Sequence, residues 1–254
     1  MNIVQRTMNE VIRLNFARQK YVGNITSNPF ISIRIPTLNR SGLLLERAVP
    51  SALGQTYKNI EVVIVGDHCT DDTEEKLKKI ETNRTIIWHN LPERNKYEKE
   101  LLKDFKVRWF MGPVRATNKA TELCTGDWVA HLDDDDFWTG DHLEKLLKFA
   151  QKGNYEMVYG DYIEKRYGEE KRVENCPSAW LMKKYIADIF KLNPDCWKKE
   201  WNRVSDIDVF ERMKSAQVRI GHLNEVVAYV LPRPGEETVG LDAYQKYDTL
   251  HPIY

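Results

Sequence analysis

Four consecutive carboxylates, at 133–136, follow directly on the apolar run 128–132 (WVAHL) and precede the aromatic pair Phe137 and Trp138. Adjacent carboxylates raise one another's pKa unless positive charge lies among them. A hard divalent cation is one natural partner, because Mg²⁺ and Mn²⁺ prefer oxygen ligands. Mg²⁺ commonly takes one or two carboxylates and completes its shell with water and phosphate oxygens. An Asp-x-Asp at a strand end therefore suits a metal held against a diphosphate. Two plainer readings compete. A calcium loop counted from Asp133 would place Asp133, Asp135, Asp141 and Glu144 at positions 1, 3, 9 and 12, but it fails at Phe137 and Trp138, where an oxygen ligand and a glycine are needed. A solvated acidic loop is weakened by the apolar residues on both sides.

Other polar residues follow apolar runs in the same way. Asp67 lies just past 60–65 (IEVVIV), and Pro36, Thr37 and Asn39 lie just past 31–35 (ISIRI). Each has a local explanation: Thr37 and Asn39 as turn formers, Asp71 and Asp72 as helix caps. Together they point to a nucleotide pocket, since ligands of open parallel sheets gather at the carboxyl ends of the strands.

The elements that must position these groups alternate between strand and helix from residue 31 to 162, which implies an α/β fold with a mainly parallel sheet flanked by helices. The run 60–65 is apolar on both faces, as a central parallel strand requires. Helices are expected over 41–55, with Pro50 as a break or kink, and over 70–80, with Asp71 and Glu74 as a capping box. A third strand is expected at 85–89, a polar excursion at 90–112, and a helix at 114–126 stopped by Gly126. Asp141 and Glu144 suit the start of a helix that ends at Gly153, before a strand at 155–162. Residues 163–254 are less regular. The first 29 residues form an extension outside the pattern, with a partial helix around Val11 to Phe16.

Composition narrows the field. Hydrophobic residues make up 42% of 254 residues, enough for a core, and 38 basic residues balance 38 acidic ones. Such a balance lacks the basic excess of a nucleic-acid binder. No apolar run approaches the roughly 20 residues that span a bilayer. The amino-terminal segment has no continuous apolar stretch of a signal peptide, although its arginines and few acids leave a transit peptide open. Cys69, Cys124, Cys176 and Cys196 form no CxxC, so neither a zinc site nor a disulfide framework is expected, and a reduced, cytoplasmic setting is the default. The sequons at Asn24 and Asn83 carry little weight without a secretion signal.

Three stretches, in order, resemble the family 2 glycosyltransferases of GT-A fold: ISIRIPTLNRSGLLLERAVPSALGQTYKNIEVVIVGDHCTDDT, GPVRATNKATELCTGDWVAHLDDDDFW and, more loosely, VSDIDVFERM. The resemblance implies one GT-A domain over 30–254, with a nucleotide-sugar half at about 30–138 and an acceptor half at about 139–254. Pro36, Thr37 and Asn39 would line the base and ribose pocket. Asp67 would hydrogen-bond the base; Gly66 stands where the family often has another acid. Arg115 and Asn118 would approach the sugar-diphosphate. Asp133 or Asp134 would face the ribose, and Asp135 would hold Mn²⁺ or Mg²⁺. Asp206 would be the general base, with Asp208 as rival, and Ser205 replaces the family's usual glutamate; both aspartates could equally flank a helix. The donor would be a nucleotide-diphospho-sugar and the acceptor a hydroxyl of a glycan or another molecule, with inversion at the anomeric carbon. Some enzymes of this fold take a metal ligand from a late histidine, usually nearer 233–236, where none stands here, so His222 is either an off-position ligand or a structural histidine, and in the latter case Asp135 would be the sole protein ligand. Trp180, Trp197 and Trp201, with Tyr185 and Phe190, suit either an acceptor platform or core packing. Two other readings remain: a binding module without catalysis, and a metal-dependent nucleotidyltransferase, for which the glycine-rich phosphate loop is missing.

Overall fold

Continuous apolar strands make the centre of the sheet. β1 (Ile31–Thr37) and β2 (Ile60–Gly66) are buried at every position, as strands covered on both faces must be. The structure, a computed structural model, describes residues 3–21, 26, 28–199 and 202–247. β3 (Thr85–Asn90) and β4 (Trp128–His131) complete a parallel block in the order β3-β2-β1-β4. The expected α/β architecture with a mainly parallel sheet is therefore present. β5 (Phe137–Trp138), β6 (Met157–Arg166), β7 (Glu169–Glu174), β8 (Trp180–Lys183) and β9 (Ile220–Val230) extend the sheet beyond β4. There β8 runs antiparallel to both β4 and β6, and β9 runs parallel to β6. The β6–β7 hairpin turns through Tyr167 and Gly168, both at positive φ.

Helices cover both faces. One core gathers Ile33, Leu44, Val62 and Leu143, between the sheet and the segments α2 (Ser41–Leu43), α3 (Val49–Leu53) and α8 (His142–Lys152). The other gathers Leu14, Val63, Ala120, Ile186 and Met213, under α1 (Ile3–Lys20), α7 (Val114–Leu123), α9 (Lys184–Ile189) and α10 (Ser205–Ser215). The remaining helices are α4 (Thr73–Leu77), α5 (Lys96–Leu101), α6 (Phe105–Met111) and α11 (Gly240–Lys246).

Several local expectations change. Pro50 does not break its helix: a π turn over Leu44–Ala48 widens the chain just ahead of it. Such a turn accommodates a ring that cannot donate a backbone hydrogen bond. Asp71 and Glu74 form no capping box. Asp71 accepts from the Thr73 N–H at 3.3 Å through one oxygen and from the Ser41 N–H at 3.0 Å through the other, and Asp72 accepts from the Ser41 hydroxyl at 2.5 Å, so these acids tie the start of α4 to the start of α2. Helix α7 ends at Leu123, before Gly126. A Cβ on Gly126 would meet the Phe30 carbonyl and the Ser32 N–H at 2.7 Å, so close approach to β1 explains that glycine. The polar excursion folds into α5 and α6, each with an amino-terminal cap from Asn95 or Asp104. Within the amino-terminal extension α1 is longer than expected, with Leu14 wholly buried and Arg18 paired with Glu156 at 2.6 Å.

Candidate active site

The carboxyl ends of β1, β2 and β4 open onto one cavity of about 320 Å³. Pro36, Thr37 and Asp67 form one part of its wall, and Asp133, Asp134, Asp135 and Asp136 another. Ser205 and Asp206, in the first turn of α10, complete it from the acceptor half. Trp109 of α6 and Tyr244 of α11 also line it and meet edge to face at 4.7 Å. The strand ends and the start of α10 thus bring seven of the ten expected site residues together: Pro36, Thr37, Asp67, Asp133, Asp134, Asp135 and Asp206. Asn39, Arg115 and Asn118 are not in that wall. Asn39, at positive φ, accepts from the Thr70 N–H at 2.7 Å and pins the β2–α4 loop. Asn118 exchanges two hydrogen bonds with the backbone of Leu192 and fixes α7 to the segment after α9. Arg115 donates to the Pro92 carbonyl at 2.7 Å and sits 3.5 Å from Asp67, away from the four aspartates.

The four aspartates differ in environment, and the protein itself supplies most of their compensation. A buried chain leads to Asp133. Arg34 donates its Nε–H to His131 Nδ1 at 3.1 Å, which leaves the ring's Nε2 to donate to Asp133 Oδ1 at 3.0 Å. Burial opposes charge on Asp133, but His131, Arg40 and Arg34 outweigh it and hold the carboxyl below the usual carboxylate range. Asp134 is a buried staple: it accepts from Thr37 Oγ1 at 2.7 Å and Arg40 Nη1 at 3.0 Å. Burial lifts its pKa, with Arg40 opposing. Asp136 is buried and accepts from Ser178 Oγ at 2.6 Å; burial and the charges of Asp135 and Asp133 push it well above the carboxylate range, so it favours the protonated form.

Asp135 faces the cavity. Its Oδ2 lies 3.3 Å from Arg233 Nε and 3.6 Å from Arg40 Nη1. These are ion pairs, and its oxygens remain hard donors on a cavity wall, so the residue fits a divalent cation that competes with two guanidiniums. Arg233 stands in the region where a late histidine was sought; its side chain also pairs with Glu236 at 3.3 Å and covers the Tyr244 ring at 5.0 Å. His222 lies elsewhere, 2.6 Å from Asp161, stacked on Tyr159 and close to Glu174, with Arg172 also paired to Asp161.

At the other end, Asp67 is 2% exposed. Its Oδ2 is taken by Arg94, which also donates to the Gly112 carbonyl at 3.1 Å, whereas its Oδ1 makes no hydrogen bond. Burial raises its pKa, and Arg94 opposes that rise. Gly66 has a packing reason: a Cβ there would meet the side chains of Trp88, Asn90 and Cys69 within 3 Å, so the acid the family often carries would have to displace them.

Asp206 is half-buried, accepts from the Ile207 N–H at 2.8 Å and lines the cavity. Burial raises its pKa and the Asp133 charge adds to it. Asp208 is buried in an ion pair with Arg212 at 2.9 Å, which rules it out as an accessible base. Trp180 is buried with its indole N–H donated to Asn175, and Tyr185 and Phe190 lie in the core, so packing explains them. Trp197 packs beside Cys196, while Trp201 and Asn24 lie outside the described residues. All four cysteines are free thiols. No helix among the described residues is long and apolar enough to cross a membrane.

The residues that sequence reasoning missed are mostly cationic: Arg40, Arg94 and Arg233. Arg40 lay inside a matching motif, and Arg233 in the stretch searched for a late histidine.

Residues 32–199 match the model of glycosyl transferase family 2. The chain is 28% identical over 174 residues to a GalNAc(5)-diNAcBac-PP-undecaprenol beta-1,3-glucosyltransferase of Campylobacter jejuni, covering 65% of this chain and 51% of that one. It spans about half the length of the curated relatives it matches first. Among solved structures, S. aureus TarS residues 1–349 in complex with UDP-GlcNAc superposes with a TM-score of 0.61 at 16% identity, over 82% of this chain and 60% of that one. The mannosyltransferase PcManGT of Pyrobaculum calidifontis, in complex with GDP-Man and Mn²⁺, gives 0.59 at 16% identity, over 90% and 67%. The shared architecture is the GT-A fold, and with two thirds of its length inside the family's pattern the chain belongs to the family 2 glycosyltransferases.

Proposed function

We propose that the protein transfers a sugar from a nucleotide-diphospho-sugar to an acceptor hydroxyl. The observation that carries this reading is one cavity with a buried carboxylate, its Oδ1 unbonded, at one end and Asp133, Asp135 and Asp206 at the other. Asp67 would accept an N–H of the base, beside Pro36 and Thr37. Asp133 would take the ribose hydroxyls, because Asp134 is already occupied by Thr37 and Arg40. Asp135 would hold Mn²⁺ or Mg²⁺; a bound ion would neutralise charge growing on the leaving diphosphate. Arg40 and Arg233 lie close enough to share that task. Asp206, its pKa raised by burial, would accept the proton of the attacking hydroxyl, which suits a general base. Attack from its side, opposite the leaving group, inverts the anomeric centre. The donor half would run over about 30–138 and the acceptor half over about 139–254. The Campylobacter relative's name makes a polyprenyl-diphosphate-linked sugar the first acceptor class to test.

The test is thermal shift and calorimetry with UDP, GDP and dTDP sugars, with and without Mn²⁺, followed by product analysis. Asp206→Asn should retain donor binding and lose roughly 10²- to 10⁴-fold in kcat. Stabilisation by no nucleotide under any metal condition would overturn the reading.

A further inference from the structure

Helix α1 carries a row of large apolar side chains on its outer face. Met8, Ile12 and Phe16, spaced by one turn, are 60%, 63% and 72% exposed. The row cannot rotate inward, because the opposite face is fixed. Leu14 is fully buried, Glu10 pairs with Arg6 and Arg212, and Arg18 forms two hydrogen bonds to Glu156. An outer face of a folded domain normally carries polar residues, so a continuous apolar row marks a contact surface.

The charges on the same helix select its partner. Of its charged residues the exposed ones are Arg13 and Lys20, while its single acid, Glu10, is 4% exposed and held in ion pairs. A second copy docked on this row would bring arginine and lysine against their own kind, with no exposed acid on the helix to offset them. An anionic surface suits both features: apolar side chains enter the acyl boundary while flanking cations meet phosphate headgroups. We infer that α1 is an in-plane docking helix for an anionic phospholipid bilayer. The inference goes beyond sugar transfer and does not depend on it. It does have a consequence for it. Glu10 reaches Arg212 of α10, the helix whose first turn carries Asp206, so a docked molecule would hold its acceptor half next to the membrane.

The test uses the full chain with vesicles of mixed phosphatidylglycerol and phosphatidylcholine, and with vesicles of phosphatidylcholine alone. Cosedimentation with the mixed vesicles should weaken as salt rises. The triple substitution Met8→Ser, Ile12→Ser and Phe16→Ser should reduce binding by roughly tenfold or more. The pair Arg13→Gln and Lys20→Gln should reduce it on the order of tenfold, and only on anionic vesicles. Melting temperatures close to wild type would show that both variants fold, which their outward positions favour. The inference is overturned if wild type stays in the supernatant with anionic vesicles, or binds both vesicle types equally. It is also overturned if light scattering shows a dimer that the triple substitution dissociates.

Discussion

Asp67, on the cavity wall, forms a buried ion pair with Arg94, and under the proposed function removal of that pair would separate stability from recognition. Asp67 is 2% exposed and Arg94 is 5% exposed, so neither can recover water when its partner is lost. Arg94→Met leaves a buried carboxylate with only Arg115 nearby, at 3.5 Å. Asp67→Asn leaves a buried guanidinium without its counter-charge, beside the Gly112 carbonyl. Breaking a buried pair from one side costs about 3–5 kcal/mol. At roughly 2–4 °C per kcal/mol for a chain of this size, each single variant should melt roughly 6–20 °C lower. The double variant Asp67→Leu, Arg94→Met removes both charges and should recover much of that loss, giving a coupling energy on the order of 2 kcal/mol or more. Nucleotide affinity should not recover with it. A hydrogen bond to a charged acceptor contributes about 1.5–3 kcal/mol, so UDP affinity should fall roughly 10- to 150-fold in both Asp67 variants. Differential scanning fluorimetry and calorimetric titration of UDP read the two quantities. Additive melting losses, or unchanged UDP affinity in Asp67→Asn, would refute the reasoning.

Two further outcomes follow from the same contacts. His142 is fully buried, stacks on Trp138 at 3.9 Å and donates Nδ1–H to the Val227 carbonyl, and burial lowers its pKa from 6.5 to about 3. The unfolded chain then binds the extra proton first, so stability is present above the unfolded value and is lost as pH falls from 6.5 towards 3. Near pH 4.5 the loss should be on the order of 2–3 kcal/mol, and His142→Phe, which keeps the stack, should flatten that slope in urea titrations. At the other end of the cavity, Arg233→Gln removes one of the two guanidiniums beside Asp135 Oδ2. Its Mn²⁺ affinity should rise roughly tenfold, while UDP affinity without metal falls; an unchanged Mn²⁺ titration would refute the competition.

Much of the site was legible because its parts are local. Apolar runs marked β1, β2 and β4, and the polar residues just past them had to emerge at one edge of a parallel sheet. Asp67, Asp133, Asp135 and Asp206 do share one cavity. Local rules failed where a side chain served a distant segment. Asp71 does accept from the Thr73 N–H at the start of its own helix, but Asp71 and Asp72 also bond to Ser41, some 30 residues earlier, which no local spacing shows. Asn39, Arg115 and Asn118 sit within matching motifs, but backbone partners from other loops draw them out of the cavity wall.

The sequence by itself determined the strand–helix alternation, the sheet's mainly parallel centre and the edge at which acids would gather, since periodicity and turn residues act over a few positions. Only the tertiary structure decided how four neighbouring aspartates are tolerated. Arg34, Arg40, His131, Ser178 and Arg233 come from separate elements and converge on them. The reason is physical: charge compensation depends on distance through space and on exclusion of water, and neither follows a period along the chain.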